Sequence, residues 1–185
     1  MISTNEFKNG ISIILDDTVY QIISFQHIKP GKGGAFVRTK LKAMLSKAVI
    51  DRTFRAGEKV EQAYIENKKI QYLYFGGNTY FFMDTETFEE VTISQDVIGG
   101  DKKFLKDGMV VSSVWHKHDV IEVILPTFIV FTVKHTEPGI RGDTAKSACK
   151  PATLDTGATV QVPLFVNAGD KIKVDTRSGE YVERA

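Results

Sequence analysis

The chain is cut throughout into short runs of β-branched and aromatic residues, and that habit limits it to small sheets. Runs at 19–28, 35–41, 70–75, 79–83, 88–93, 110–115, 120–125, 128–135, 159–166, 171–175 and 181–182 alternate imperfectly between apolar and polar, as half-buried strands do. Turn formers such as Gly76-Gly77-Asn78 separate them. Only 94–106 looks helical, with Ser94 as cap and Val97, Ile98, Phe104 and Leu105 facing inward, and Gly99-Gly100 must break it. Many short strands with turns between them predict an all-β protein of small barrels or sandwiches. At 185 residues the expected organisation is three β units in series, 1–62, 63–126 and 127–185. Each is small enough to be marginal alone, so neighbours should pack on one another.

Composition narrows the function classes. With 42% hydrophobic and 25% charged residues, the chain has enough apolar surface to fold, which excludes wholesale disorder. No basic stretch leads into an apolar signal core, and no apolar run nears the ~18 residues of a membrane helix. The single Cys149 cannot close an internal disulfide, which suits a reducing cytoplasm. The expected protein is therefore cytoplasmic, with no membrane contact.

Charge is balanced overall but not locally. Residues 1–63 carry a net +4, 64–126 a net −4 and 127–185 a net +1. Within 26–59, nine basic residues face only Asp51 and Glu58. A patch of that sign attracts polyanions, and an acidic neighbour discourages indiscriminate coating of nucleic acid.

Between 19–28 and 35–41 stands Lys29-Pro30-Gly31-Lys32-Gly33-Gly34, the tip of a long hairpin. Pro30 fixes one φ, and three glycines strip bulk from around a central lysine, leaving a slender finger with one flexible cation. Such a loop can enter a crowded phosphate-rich site. A nucleotide P-loop is excluded, because Gly33 stands where Ser or Thr should follow the lysine and strand, not helix, comes next. A second informative segment runs from Glu137-Pro138-Gly139-Ile140-Arg141-Gly142-Asp143-Thr144-Ala145 through Lys150-Pro151-Ala152 to Gly157. It reads as a long polar loop, the kind that often carries function. The Arg141-Gly142-Asp143 tripeptide is coincidental in a chain expected to stay inside the cell.

Those segments, with Lys150-Pro151-Ala152-Thr153-Leu154, Val162-Pro163-Leu164-Phe165-Val166 and the ending Thr176-Arg177-Ser178-Gly179-Glu180-Tyr181-Val182, resemble the bacterial elongation factor P family in motif order from Asn5 onward. The resemblance implies a KOW/SH3-like N-terminal barrel and two OB-fold barrels, together elongated like a tRNA. It implies a factor that binds the ribosome, ribosomal RNA and ribosomal proteins alike, between the peptidyl and exit sites and promotes peptide bond formation at consecutive prolines. Lys32 matches the family's tip lysine, which touches the CCA end of peptidyl-tRNA and in many bacteria is covalently extended, so a lysine-modifying enzyme is an implied partner. Gly142, Asp143 and Thr144 match the loop near the exit-site codon. In the finger domain, Lys29, Arg38, Lys40 and Lys42 are expected to hold the tRNA and rRNA backbone, where phosphate contacts fix register without reading sequence. A monomer without cofactor is expected.

Competing chemistry is thin. His116-Lys117-His118-Asp119 is an incomplete metal set better read as a turn, and His27 and His135 lie in unrelated strands. Cys149 has no neighbouring His to activate it, and Asp16-Asp17 and Glu89-Glu90 read as turn and surface charges. No catalytic residues are expected. A general OB-type RNA binder remains the alternative, along with a paralogous member of the family; the former should carry a basic, aromatic-studded surface, against the net −4 of the middle unit.

Overall fold

The computed structural model describes residues 1–31, 33–138 and 149–185. They form three sheets. In the first, β1 (Ile2–Ser3), β2 (Ser12–Leu15), β3 (Thr18–Ile28), β4 (Phe36–Ala43), β5 (Val49–Arg55) and β6 (Lys59–Gln62) take the order β1-β6-β2-β3-β4-β5. Asp16 and Asp17, both at positive φ (48° and 58°), make the two-residue turn between β2 and β3, the geometry that matches strand twist. Inside lie Phe7, Ile13, Ile22, Val37, Leu41 and Phe54, with the Phe7 and Phe54 rings edge to face at 5.6 Å. The N-terminus is pinned by buried Thr4, whose hydroxyl donates to the Arg55 carbonyl (3.1 Å) and accepts from the Gly57 N–H (2.9 Å).

The second sheet contains β7 (Ile65–Gly76), β8 (Thr79–Asp84), β9 (Glu90–Ser94), β10 (Val110–His116) and β11 (Asp119–Ile124), in the order β11-β10-β7-β8-β9. The third contains β12 (Phe128–Thr136), β13 (Cys149–Leu154), β14 (Thr159–Pro163), β15 (Lys171–Asp175) and β16 (Glu180–Arg184), in the order β14-β13-β12-β15-β16. Packing divides the chain into two compact units, 1–68 with 113–122 and 69–112 with 123–185. In the first, Lys47 pairs with Glu122 and Lys68 lies over the Trp115 ring at 4.7 Å. In the second, the Phe104 ring meets Phe131 at 5.8 Å, Lys106 pairs with Asp155 at 2.7 Å and the Thr156 hydroxyl donates to the Lys103 carbonyl.

The helical stretch is one turn, α1 (Gln95–Ile98), followed by a 3₁₀ segment over Gly99–Phe104. Gly99 breaks it at φ 60°, and Ser94 occupies the cap position without donating or accepting a capping bond. Five strands were not expected: the short β1, β2 and β6, together with β5 and with β13 inside the supposed long loop. Pro151 is tolerated in β13 because only β14 pairs with it there; the register with β12 begins one residue later, at Ala152↔Thr136. Among the described residues no helix is long and apolar enough to cross a membrane.

On β15, Asp175 is clasped by Arg177. The guanidinium Nη2 donates at 2.7 Å and Nε at 3.1 Å, and the Arg177 backbone N–H adds a third bond at 2.9 Å. These bonds, the side-chain ones foremost, hold the Asp175 carboxyl at about 2, below its ordinary 3.8. A lowered folded value means that its stabilising contribution is complete above the ordinary value and fades as pH falls from 3.8 through about 2. In a carboxyl-carbon NMR titration Asp175 should titrate near 2, and Arg177→Ala should move it back toward 3.8.

Candidate nucleic-acid interface

The β3–β4 hairpin is built by strict alternation in β4. Val37, Thr39, Leu41 and Ala43 are buried, whereas Arg38 and Lys40 are exposed and Lys42 half-buried on the opposite face. Successive outward residues on a strand stand about 7 Å apart, so the three cations form one row. The register places Gln26 and Ser24 of β3 beside Arg38 and Lys40, and Thr53, Asp51 and Val49 of β5 on the other flank. Asp51 lies opposite Lys40, yet no ion pair among the described residues engages Arg38, Lys40 or Lys42. The row is thus neither neutralised nor buried, which suits it to a polyanion.

The register also brings in Arg55, opposite Phe36 and therefore on the same face as Arg38. Sequence reasoning missed it because 49–55 was not read as a strand; the alternation of Asp51, Thr53 and Arg55 around buried Phe54 was the available signal. Arg52 pairs with inward Thr39 and belongs to the other face. At the finger's base Phe25 packs edge to face on Phe7 (6.5 Å) and on the His27 ring (5.6 Å). The pairing skips Ile23, a bulge between Ile22↔Leu41 and Ser24↔Lys40.

Beyond Ile28↔Phe36 the two hairpin arms no longer pair, while the Ala56 N–H donates to the Ala35 carbonyl at 3.0 Å and carries the β4–β5 ladder one residue further. Lys29, Pro30, Gly31, Gly33 and Gly34 are all exposed. A Cβ on Gly31 or Gly34 would meet nothing within 4 Å, while Gly33 sits at φ 106°, a backbone that strains residues with side chains. The flanks of position 32 therefore stand clear of the body. Lys32 itself lies outside the described residues, as do Gly142, Asp143 and Thr144.

The other candidates stay apart. Lys117 and His118 form the β10–β11 turn, Lys117 at φ 58°, and His116 Nδ1 sits 3.1 Å from the Tyr64 carbonyl. No metal-binding cluster of His, Cys, Asp or Glu occurs among the described residues. Cys149 is free and exposed at the start of β13. His27 and His135 lie in β3 and β12. In the second unit a cleft of about 490 Å³ is lined by Tyr72, Phe75, Tyr80, Lys102 and Asp107 among others. Burial, with Asp107 second, pushes the Tyr72 hydroxyl above its ordinary value, so that group stays protonated at neutral pH.

Comparison with known proteins covers nearly the whole chain. Family models match residues 3–60 (elongation factor P KOW-like domain), 65–123 (elongation factor P OB domain) and 129–184 (elongation factor P, C-terminal). The elongation factor P of Natranaerobius thermophilus is 53% identical over 184 residues, covering 100% of this chain and 98% of its own. That of Coprothermobacter proteolyticus is also 53% identical, covering 100% and 99%. Among solved structures, the eukaryotic translation initiation factor 5A from Methanococcus jannaschii aligns at TM-score 0.54 and 25% identity, over 66% of this chain and 92% of its own.

Beneath the basic row lies a flaw with a measurable consequence. The Thr39 hydroxyl, on a residue with no exposed surface, is the single buried side-chain polar atom without a partner among the described residues. An unpaired buried hydroxyl is destabilising. Thr39→Val, which keeps the shape, should stabilise the protein by about 1 kcal/mol in chemical denaturation and leave the outward row unchanged.

Proposed function

The chain belongs to the elongation factor P family and is a translation elongation factor, and from that premise we propose that it binds the ribosome between the peptidyl and exit sites and promotes peptide bond formation at consecutive prolines. The observation that carries the reading is the finger: a glycine-flanked tip in open space above an unpaired row of cations on the same strand pair. Proline is a poor reactant in peptide bond formation because its ring fixes φ and restricts the approach of the reacting groups. A factor that only steadies the peptidyl-tRNA end acts through orientation, worth at the extreme about 7–11 kcal/mol.

In this reading Lys32 reaches the CCA end as a positioning cation, not an acid–base catalyst, and is the residue a lysine-modifying enzyme would extend. Lys29, Arg38, Lys40 and Lys42, joined by Arg55, hold phosphates of the tRNA and rRNA. Gly142, Asp143 and Thr144 approach the exit-site codon. The division of labour follows the three segments 1–62, 63–126 and 127–185, acting as a monomer.

Lys32→Ala should depress synthesis of a proline-run reporter severalfold while leaving the melting temperature unchanged; equal reporter yields from mutant and parent would sink the proposal. Separately, Lys40→Ala should lower ribosome affinity and reduce the slope of log affinity against log salt by roughly 0.7–0.9, the release expected from one lost phosphate contact. An unchanged slope would remove Lys40 from the interface. Peptide mass spectrometry of protein from its native cells tests for added mass at Lys32.

A further inference from the structure

From residue 70 to residue 101 the chain holds six carboxylates and no lysine, arginine or histidine. The same stretch forms the β7–β8–β9 meander, and its outer face is legible from the register. Gln71, Met83 and Glu90 form one cross-strand row, Tyr74, Phe81 and Thr92 the next, and Gly76, Thr79 and Ser94 the third. At the centre the Tyr74 and Phe81 rings stack at 4.5 Å, only 14° from parallel, and Tyr74 is 50% exposed. Gly76 leaves these rings uncovered: a Cβ there would lie 3.7 Å from Tyr74 and 3.8 Å from Phe81, ordinary contact that the fold has room for. Glu90 is exposed and joins no ion pair among the described residues. Of the two lysines that bound the stretch, Lys69 is tied at 2.7 Å to Ser112 of β10, on the side of β7 away from β8 and β9, and Lys102 lines the cleft with the buried Tyr72 and Tyr80.

We propose that this face docks an arginine-bearing protein segment, a guanidinium lying over the stacked Tyr74–Phe81 pair with its charge met by Glu90. Arginine is suited to the task because its flat cation stacks on aromatic rings while its N–H groups reach a carboxylate. An RNA base also stacks on such rings, but its phosphates would have to approach Glu86, Glu89, Glu90 and Asp96, all exposed, with no cation of the stretch to receive them. The protein would then present two surfaces of opposite sign, the basic hairpin row for nucleic acid and this one for a basic polypeptide. The second does not depend on the first.

The test uses the full chain, ¹⁵N-labelled, titrated in low salt with an (Arg-Gly)₅ peptide and in parallel with an eight-nucleotide oligouridylate. The peptide should shift amides of Tyr74, Phe81, Thr92 and Ser94. Gly76→Val, which covers the rings, and Tyr74→Ser should each weaken peptide binding about two- to fivefold, the scale of an exposed cation–π contact. Glu90→Lys should weaken it further, and Lys40→Ala should leave it unchanged. Peptide-induced shifts centred elsewhere, or affinity of the Gly76→Val and Tyr74→Ser variants equal to that of the parent protein, overturn the proposal. So does the oligouridylate moving the same amides more strongly than the peptide, which would make the face an RNA site. Because no ribosome enters the experiment, its failure leaves the hairpin reading standing, and failure of the Lys32 reporter test leaves this one standing.

Discussion

The first sheet depends on one constraint, the obligatory alternation of side chains along β4. Val37 and Leu41 are fully buried, each such burial contributing roughly 1.5–3 kcal/mol. Those contributions fix the register against β3 and β5, and the register in turn forces Arg38, Lys40 and Lys42 to the other side. A slip of one residue would bury three cations and expose the apolar set, a penalty far larger than the marginal stability of a small domain. The basic row is therefore not an independent feature laid on a scaffold. It is the reverse side of the core.

Where local chemistry and tertiary demand agree, the fold was legible in the sequence. The hairpin arms, the glycine-rich tip, the Asp16-Asp17 turn and the break at Gly99 all follow from propensity and φ preferences, and the structure has each of them. Legibility failed where a strand owes its place to its neighbours. Val49–Arg55 is polar at most positions, and only Phe54 is buried; β5 exists because β4 offers it an edge. Cys149–Leu154 opens with Cys-Lys-Pro, yet Lys150 is buried, its ammonium donating to the Glu137 carbonyl at 2.7 Å. No pattern rule anticipates a lysine turned inward to serve a backbone oxygen.

Of the candidate site, the row on β4 could be read from alternation alone, whereas Arg55 required the pairing with Phe36. The outer face of β7–β9 was less visible still. Tyr74 and Phe81 are seven positions apart in sequence, and the bulge between Tyr72 and Tyr74 shifts the alternation, so only the register shows that they share a face. Only the net −4 of the middle third was legible from the sequence.

The unpaired Ile23 in the hairpin shaft carries an evolutionary consequence. Because facing flips with every residue, the finger can lengthen or shorten only in steps of two per arm, each step moving the tip by about 7 Å without turning its charges away. A single inserted or deleted residue would rotate everything beyond it onto the wrong side unless a second extra residue absorbed the error, and a bulge is what such an absorbed error looks like. Finger length in this fold should therefore vary by even counts, with odd counts found only alongside a gained or lost bulge.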